Sequence, residues 1–310
     1  MTSTARLVIG RGLLGAAVAR SRKDAVVDAP VRWRDPALAD EDLADALHRL
    51  ADRREDHIEV YWCAGKGVTS SPREALDAEF ETFASFLRHI QELPPTDRDR
   101  LAVFLASSVG GAYATAAHPP FTESTEPSPG SAYGELKLRM EHALHDATLL
   151  GGWRSFIARI TNLYGPGQDL AKGQGLVSII VASYITQRPV SIYVPLDTLR
   201  DYIYEDDCAR VIAAATERVH SEAAGTTVMK IVGAMTAMSV GAILGENTKL
   251  RRRRARVILG QGNSAGQAYD LRVRSEVWTD LDALVRTTLP EGLDSIYRTQ
   301  LATHTGRGRP

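Results

Sequence analysis

A parallel β-sheet wound with helices follows from three features of the sequence. Short apolar runs alternate with amphipathic stretches over the first 108 residues. A glycine-rich turn directly follows the first apolar run. The length, 310 residues, suits one large α/β unit or a domain and a half. Taken in order, ARLVIG (5–10) reads as a buried strand, and LLGAAVARSR (13–22) as a short helix. AVVDAPVRW (25–33) reads as a second extended stretch. ADEDLADALHRLADRRED (39–56) has a helical period and an acidic start that suits a helix N-terminus. HIEVYWCAG (57–65) is a strand. SPREALDAEFETFASFLRHIQEL (71–93) is a long amphipathic helix with Pro72 near its first turn, and RLAVFLASS (100–108) is a strand again. Beyond residue 165 the rhythm loosens, starting with the glycine-rich loop GPGQDLAKGQG (165–175).

Bulk composition removes several classes of function. Net charge is −1, so the whole molecule offers no field that would gather nucleic acid or a membrane surface. The strongest basic run, KLRRRRARVIL (249–259), has no interleaved aromatics and reads as a solvated strand or a dimer edge. Apolar runs are too short for a transmembrane helix, and the N-terminus lacks a secretory leader pattern. Two cysteines, Cys63 and Cys208, form no disulfide framework and suggest a reducing compartment. A cytoplasmic protein is therefore expected. The eight histidines show no ligand spacing, so no metal is expected.

The first chemistry lies in VIGRGLLG. Gly10, Gly12 and Gly15 have G-x-G-x-x-G spacing, after a strand and at the opening of a helix. Gly10 permits a tight turn, Gly12 lets a pyrophosphate approach the backbone, and Gly15 lets helix pack on strand. This predicts a doubly wound, Rossmann-type core binding NAD or NADP. The acidic residue that holds a ribose hydroxyl should lie about 20 residues on. There the sequence offers both signs: Asp28 or Asp35 would favour NAD, whereas Arg32 or Arg34 would hold the 2′-phosphate of NADP.

The second chemistry lies in AYGELKLRME (132–141). Tyr133 and Lys137 stand four apart, on one face of a helix. An ammonium close to a phenol stabilises the phenolate, which can exchange a proton with an alcohol while a hydride moves. Ser107 and Ser108 end the strand LAVFLASS at the sheet edge where α/β proteins bind ligands.

With these motifs stand CAGKG (63–67), LASSVGGAYA (105–114), SAYGELKLRMEHAL (131–144), ARITNLYGPGQ (158–168), QGLVSIIVASYITQRPVSIYV (174–194) and LRDYIYEDDCARVI (199–212). In this order they resemble the extended short-chain dehydrogenase/reductase family, in its nucleotide-sugar epimerase/dehydratase branch. The resemblance implies Tyr133 as acid/base, Lys137 also on the nicotinamide ribose, and Ser108 as the nearest matching hydroxyl. It implies cofactor contacts at Leu13, Leu14, Cys63, Ala64, Gly65, Ser107 and Ile160 besides those above. It implies substrate contacts at Val109, Asn162, Val177 and Tyr193, with Arg200 on the diphosphate and Arg272 as a second candidate. The expected division is a dinucleotide-binding core over 1–165, a substrate-binding part over 166–302 with interleaved elements, and a disordered tail, 303–310. The resemblance implies a homodimer, since helices 71–93 and 131–148 are elements the family often uses for a four-helix interface; packing on the sheet explains their amphipathicity equally.

Several departures bear on the reaction. The family hydroxyl falls at Val109, so Ser108 would act from one residue earlier. Dehydratases of the branch carry an Asp-Glu pair where this chain has Gly110-Gly111, which counts against water elimination. One βα unit of the first 60 residues is shortened or missing, and the Gly-Asp-Gly turn before Arg200-Asp201 is lost. The leading expectation is a C4 epimerase of a nucleoside-diphosphate sugar. The alternatives are an NADPH-dependent reductase of a 4-keto sugar nucleotide and a non-catalytic nucleotide-binding protein on the same fold.

Overall fold

The computed structural model describes residues 2–21, 26–170, 175–260 and 268–306. The N-terminal half runs β1 (Thr4–Ile9), α1 (Leu13–Ser21), β2 (Val26–Val27), α2 (Pro36–Ala51), β3 (His57–Trp62), α3 (Arg73–Glu92), α4 (Pro95–Asp99), β4 (Leu101–Ser108), α5 (Val109–Tyr113) and α6 (Ala132–Gly151). It continues with β5 (Arg154–Ile160), β6 (Asn162–Tyr164), α7 (Leu176–Thr186), β7 (Val190–Ile192), β8 (Leu199–Tyr204) and α8 (Glu205–Val219). The chain closes with β9 (Thr227–Val232), β10 (Ala237–Ser239), α9 (Val240–Arg251), β11 (Val257–Leu259), β12 (Asp270–Leu271), a 3-10 helix (Thr279–Leu284) and α10 (Leu289–His304).

Six strands form the main sheet in the order β2-β1-β3-β4-β5-β9, every pair parallel. Alternation along the strands builds two cores. Leu7, Ile9, Val60, Trp62, Val103 and Leu105 face α2, α3 and α6, which contribute Leu47, Phe83, Phe86, Leu136 and Met140. Val8, Tyr61, Phe104 and Phe156 face α1 and α8, which contribute Val18, Cys208, Val211 and Ile212. Each fully buried aliphatic or aromatic side chain contributes roughly 2 kcal/mol. These two layers, more than any polar link, hold the helices to the sheet. This is the expected α/β architecture, with the topological switch between β1 and β3.

The edge at β2 differs from the sequence expectation. Of the extended stretch expected over 25–33, only Val26–Val27 are strand. Pro30 lacks an N–H for a ladder, and Asp35 already caps α2 by accepting from the Ala37 and Leu38 N–H groups. The chain crosses directly from β2 through α2 to β3, so one βα unit is absent beyond β2.

A smaller sheet, β10-β8-β12 with β6 also on β8, stands beside the carboxyl ends of the main strands. Strands β7 and β11 form a separate parallel pair. Helices α7, α9 and α10 pack on these through Val177, Ile180, Ile243, Leu293 and Ile296. Two expectations are corrected here. The tail is not disordered from residue 303: α10 runs to His304, started by a Thr288–Glu291 capping box and anchored by Leu293 and Ile296. Residues 307–310 lie outside the described residues. The basic run 249–259 is no single strand. Its start is the last turn of α9, where Arg251 stacks on Tyr297 and pairs with Asp294 at 3.0 Å, and Val257–Leu259 is β11. Among the described residues no helix is long and apolar enough to cross a membrane.

Candidate active site

The turn after β1 shows a division of labour among its glycines. Gly10 is left-handed (φ +87°), and a Cβ there would sit 2.5 Å from the Ala64 backbone. A Cβ on Gly15 would lie 1.8 Å from the Gly10 carbonyl oxygen. On Gly12 it would meet nothing within 4 Å. Two glycines are therefore demanded by the fold itself, while the third borders open space at the N-terminus of α1. Backbone N–H groups and the helix dipole there suit an anion. The donor set fits the pyrophosphate of a dinucleotide, with Leu13 and Leu14 opening the helix beside it.

Helix α6, which carries Tyr133 and Lys137, closes the other side of the same wall. Ser131 caps α6, accepting from Gly134 N–H at 3.2 Å, which places Tyr133 and Lys137 one turn apart at its start. The Lys137 ammonium is buried and stands 5.7 Å from the centre of the Tyr133 ring. Loop 63–67 bridges helix and phosphate turn. Ala64 abuts Gly10; a Cβ on Gly65 would lie 3.6 Å from Lys137 Nζ, and one on Gly67 3.5 Å from Tyr133 Cδ2. Gly10, Ala64, Gly65, Gly67, Lys137 and Tyr133 thus form one continuous surface. Cys63 sits beneath it, and burial pushes its thiol up to about 12, against the opposing pull of Arg11 and Lys137. A thiol so held is no nucleophile at neutral pH.

One residue of this wall escaped the sequence reading. Glu79 of α3 accepts from the Lys66 and Gly67 N–H groups, each at 3.0 Å, and its other oxygen lies 3.8 Å from Lys137 Nζ. Only its spacing within α3 could have signalled it, and there it reads as one more acidic residue on an amphipathic helix.

The strand-end hydroxyls have structural partners. Ser107 donates to Glu141, which also holds Arg159 in a buried pair at 2.6 Å. Ser108 caps α5, accepting from Gly111 N–H at 3.1 Å. Val109 is buried with Tyr113, Phe121, Leu271 and Val273. Ile160 is buried against the α1/α8 layer.

The expected substrate residues are more dispersed. Asn162 is exposed and donates to the Asp201 carbonyl at 2.9 Å. Asp201 in turn accepts from Thr161 at 2.7 Å and from the Ala234 and Thr236 N–H groups at 2.8 Å, which fixes the turn after β9. Arg200 donates to the carbonyls of Leu199, Tyr269 and Ala268, and burial lowers its pKa. Arg272 is exposed and paired with Asp270 at 2.8 Å. Tyr193 is exposed, with its ring against Gly260. Val177 packs inside the α7/α10 core. At the adenine end, Arg32 is held by Asp42 at 2.6 Å and Glu41 at 3.2 Å, while Arg34 is exposed. Asp28 is exposed at the carboxyl end of β2, which pairs with β1 through Val27 and Leu7.

A buried carboxylate lies under the loop that follows Tyr164. Glu205, at the start of α8, fills the space where a Cβ on Gly165 would fall, and it accepts from Arg20 at 2.9 Å. Burial raises its pKa to about 7, against the pull of Arg20. Below its ordinary value of 4.5 both folded and unfolded chains hold the proton. Between 4.5 and about 7 the unfolded chain releases a proton that the folded chain keeps, so stability falls as pH rises through that window. The loss over that window is roughly 3 kcal/mol. Glu205→Gln is expected to melt several degrees above the unsubstituted protein at pH 8 and level with it at pH 4. Equal melting temperatures at pH 8 would remove this account.

Comparison with known proteins agrees with the geometry. The model of the NAD dependent epimerase/dehydratase family matches residues 7–229. A dTDP-L-rhamnose 4-epimerase of Burkholderia thailandensis is 34% identical over 101 residues, covering 32% of this chain and 28% of that protein. A dTDP-4-dehydro-6-deoxyglucose reductase of Escherichia coli is 30% identical over 115 residues, 37% of this chain and 36% of that one. The matched stretches thus span about a third or less of these relatives. The solved structure of MoeE5 in complex with UDP-glucose and NAD superposes with a TM-score of 0.79 at 20% identity, over 97% of this chain and 99% of that one. That likeness shows the fold.

Proposed function

Because the chain belongs to the NAD dependent epimerase/dehydratase family, we propose that it is a nucleotide-sugar epimerase acting at C4, with NAD resident during turnover. The observation that carries this reading is the continuous wall from Gly10 through Ala64 and Gly65 to Lys137 and Tyr133. It would set a dinucleotide's reactive end beside a phenol that shares its helix face with a buried ammonium. The cofactor, when bound, supplies a reversible hydride acceptor. Tyr133 would take the C4 hydroxyl proton as that hydride leaves and return it after the 4-keto sugar has turned over. Lys137 would hold the phenolate and a ribose hydroxyl. The Ser108 hydroxyl, whose oxygen accepts from Gly111 N–H, would donate to the substrate oxygen. Gly110-Gly111 in place of an acid pair supports hydride return over water elimination.

For the cofactor, Arg32 is committed to two carboxylates, and the exposed Asp28, one residue past β2, would accept from a ribose hydroxyl. Both favour NAD. A reductase using NADPH is the second reading, favoured by the exposed Arg34 and Arg11 near the turn. One experiment separates them. Freshly purified protein is denatured and its nucleotide identified, and a panel of dTDP- and UDP-hexoses is then incubated in heavy water. The epimerase releases NAD or NADH in near-stoichiometric amount and yields the C4 epimer with no solvent deuterium at C4. Empty protein that consumes NADPH with a 4-keto sugar would replace this reading with the reductase. We also propose a homodimer, in line with the amphipathic pair α3 and α6.

A further inference from the structure

The geometry points to Glu79 as a positioning residue that sets the pH range over which Tyr133 works, through Lys137. This rests on the proposed acid/base role of Tyr133. Glu79 spends one oxygen on the Lys66 and Gly67 N–H groups, at 3.0 Å each. The other is shut off from solvent, has no hydrogen-bond donor among the described residues, and faces Lys137 Nζ at 3.8 Å. A Cβ on Gly65 would approach the same oxygen to 2.8 Å and Nζ to 3.6 Å, so that glycine keeps the gap between them clear.

Two consequences follow from a carboxylate in that place. It ties the Lys66–Gly67 loop to the catalytic helix, since one side chain touches both. It also offsets the ammonium's charge. A lysine alone favours the phenolate of its neighbour; a carboxylate beside that lysine opposes it. The other charged or titratable groups around Lys137 do not take this part. Cys63, at the end of β3, holds its proton. Arg11, on the phosphate turn, is cationic and lies toward Cys63. Glu141, one turn further along α6, is bound to Arg159 and Ser107. Glu79 is the carboxylate that pairs with Lys137 among the described residues, at 3.8 Å.

The test uses Glu79→Gln, whose carboxamide oxygen still accepts both N–H groups but carries no charge. The acid-side midpoint of the pH profile of turnover is expected to fall by about one unit. Below the native midpoint the variant then retains a larger fraction of its plateau rate than the unsubstituted enzyme does. Simple structural damage lowers the plateau without moving the midpoint. Glu79→Asp, which keeps the charge, should keep the midpoint; Glu79→Ala serves if the Gln variant does not fold.

A second readout needs no turnover: the ultraviolet tyrosinate absorbance that Tyr133→Phe removes, titrated in each background. Its midpoint should move in the same direction. An unmoved midpoint in that titration overturns the role of Glu79, whatever the enzyme does with sugars. A shifted titration in a protein that turns over no sugar keeps the role of Glu79 and removes the epimerase.

Discussion

Tyr133→Phe is expected to lower sugar turnover by about a thousandfold, the scale of losing a positioned general acid/base. The variant should fold normally and bind NAD within a few-fold of the native affinity. The ring, not the hydroxyl, provides its packing: Tyr133 lies partly buried against the α3/α6 layer and beneath the Lys137 ammonium. Phenylalanine keeps that ring and leaves no polar atom stranded. Loss of rate with retained cofactor would locate the effect in proton transfer. The measurement is kcat on whichever sugar nucleotide the native enzyme converts, beside a cofactor titration. Unchanged turnover would remove Tyr133 from the mechanism and, with it, the reading of the site.

The second large effect distinguishes two glycines of the same turn. Gly15→Ala forces a methyl group to within 1.8 Å of the Gly10 carbonyl oxygen. Strand and helix must part, and a loss of about 3 kcal/mol or more in stability is expected. Gly12→Ala places its methyl in open space. Its melting temperature without cofactor should stay near that of the native chain. The same methyl occupies the approach of the pyrophosphate, so NAD affinity should fall by about a hundredfold. Thermal melts with and without NAD read both effects. If Gly12→Ala binds NAD normally, the dinucleotide does not lie over this turn.

The legibility of the fold followed the physics of each segment. Strands β1, β3 and β4 are continuous apolar runs bounded by turns, and a buried parallel strand has just that signature. The helices over 73–92 and 132–151 carry long amphipathic periods. The stretch 25–33 misled because its valines suit a strand, but its proline and the Asp35 cap end the pairing after two residues. Helix α10 was missed although Thr288-Leu289-Pro290-Glu291 carries a legible start signal; its apolar stripe is short, and its burial depends on α7, more than 100 residues away in sequence. At the site, spacing along one element revealed Tyr133 with Lys137 and the three glycines. Glu79 lay beyond that reach, since its meaning comes from a loop and a lysine on other elements. The arginines were seen for their charge, but their commitments, Arg32 to Asp42 and Arg200 to backbone carbonyls, are tertiary facts.

The main sheet is finished by chain that arrives late. Strand β9 pairs with β5 only at residues 227–232, and α8, spanning 205–219, covers the face shared with α1. During synthesis, β5 therefore emerges with an open parallel edge and one bare apolar face. The face waits for α8, and the edge stays open until about three quarters of the protein, residue 232 of 310, has left the ribosome. The nucleotide-binding half cannot mature as an autonomous unit ahead of the rest. Its window of exposure to chaperones and to self-association is set by the rate of translation.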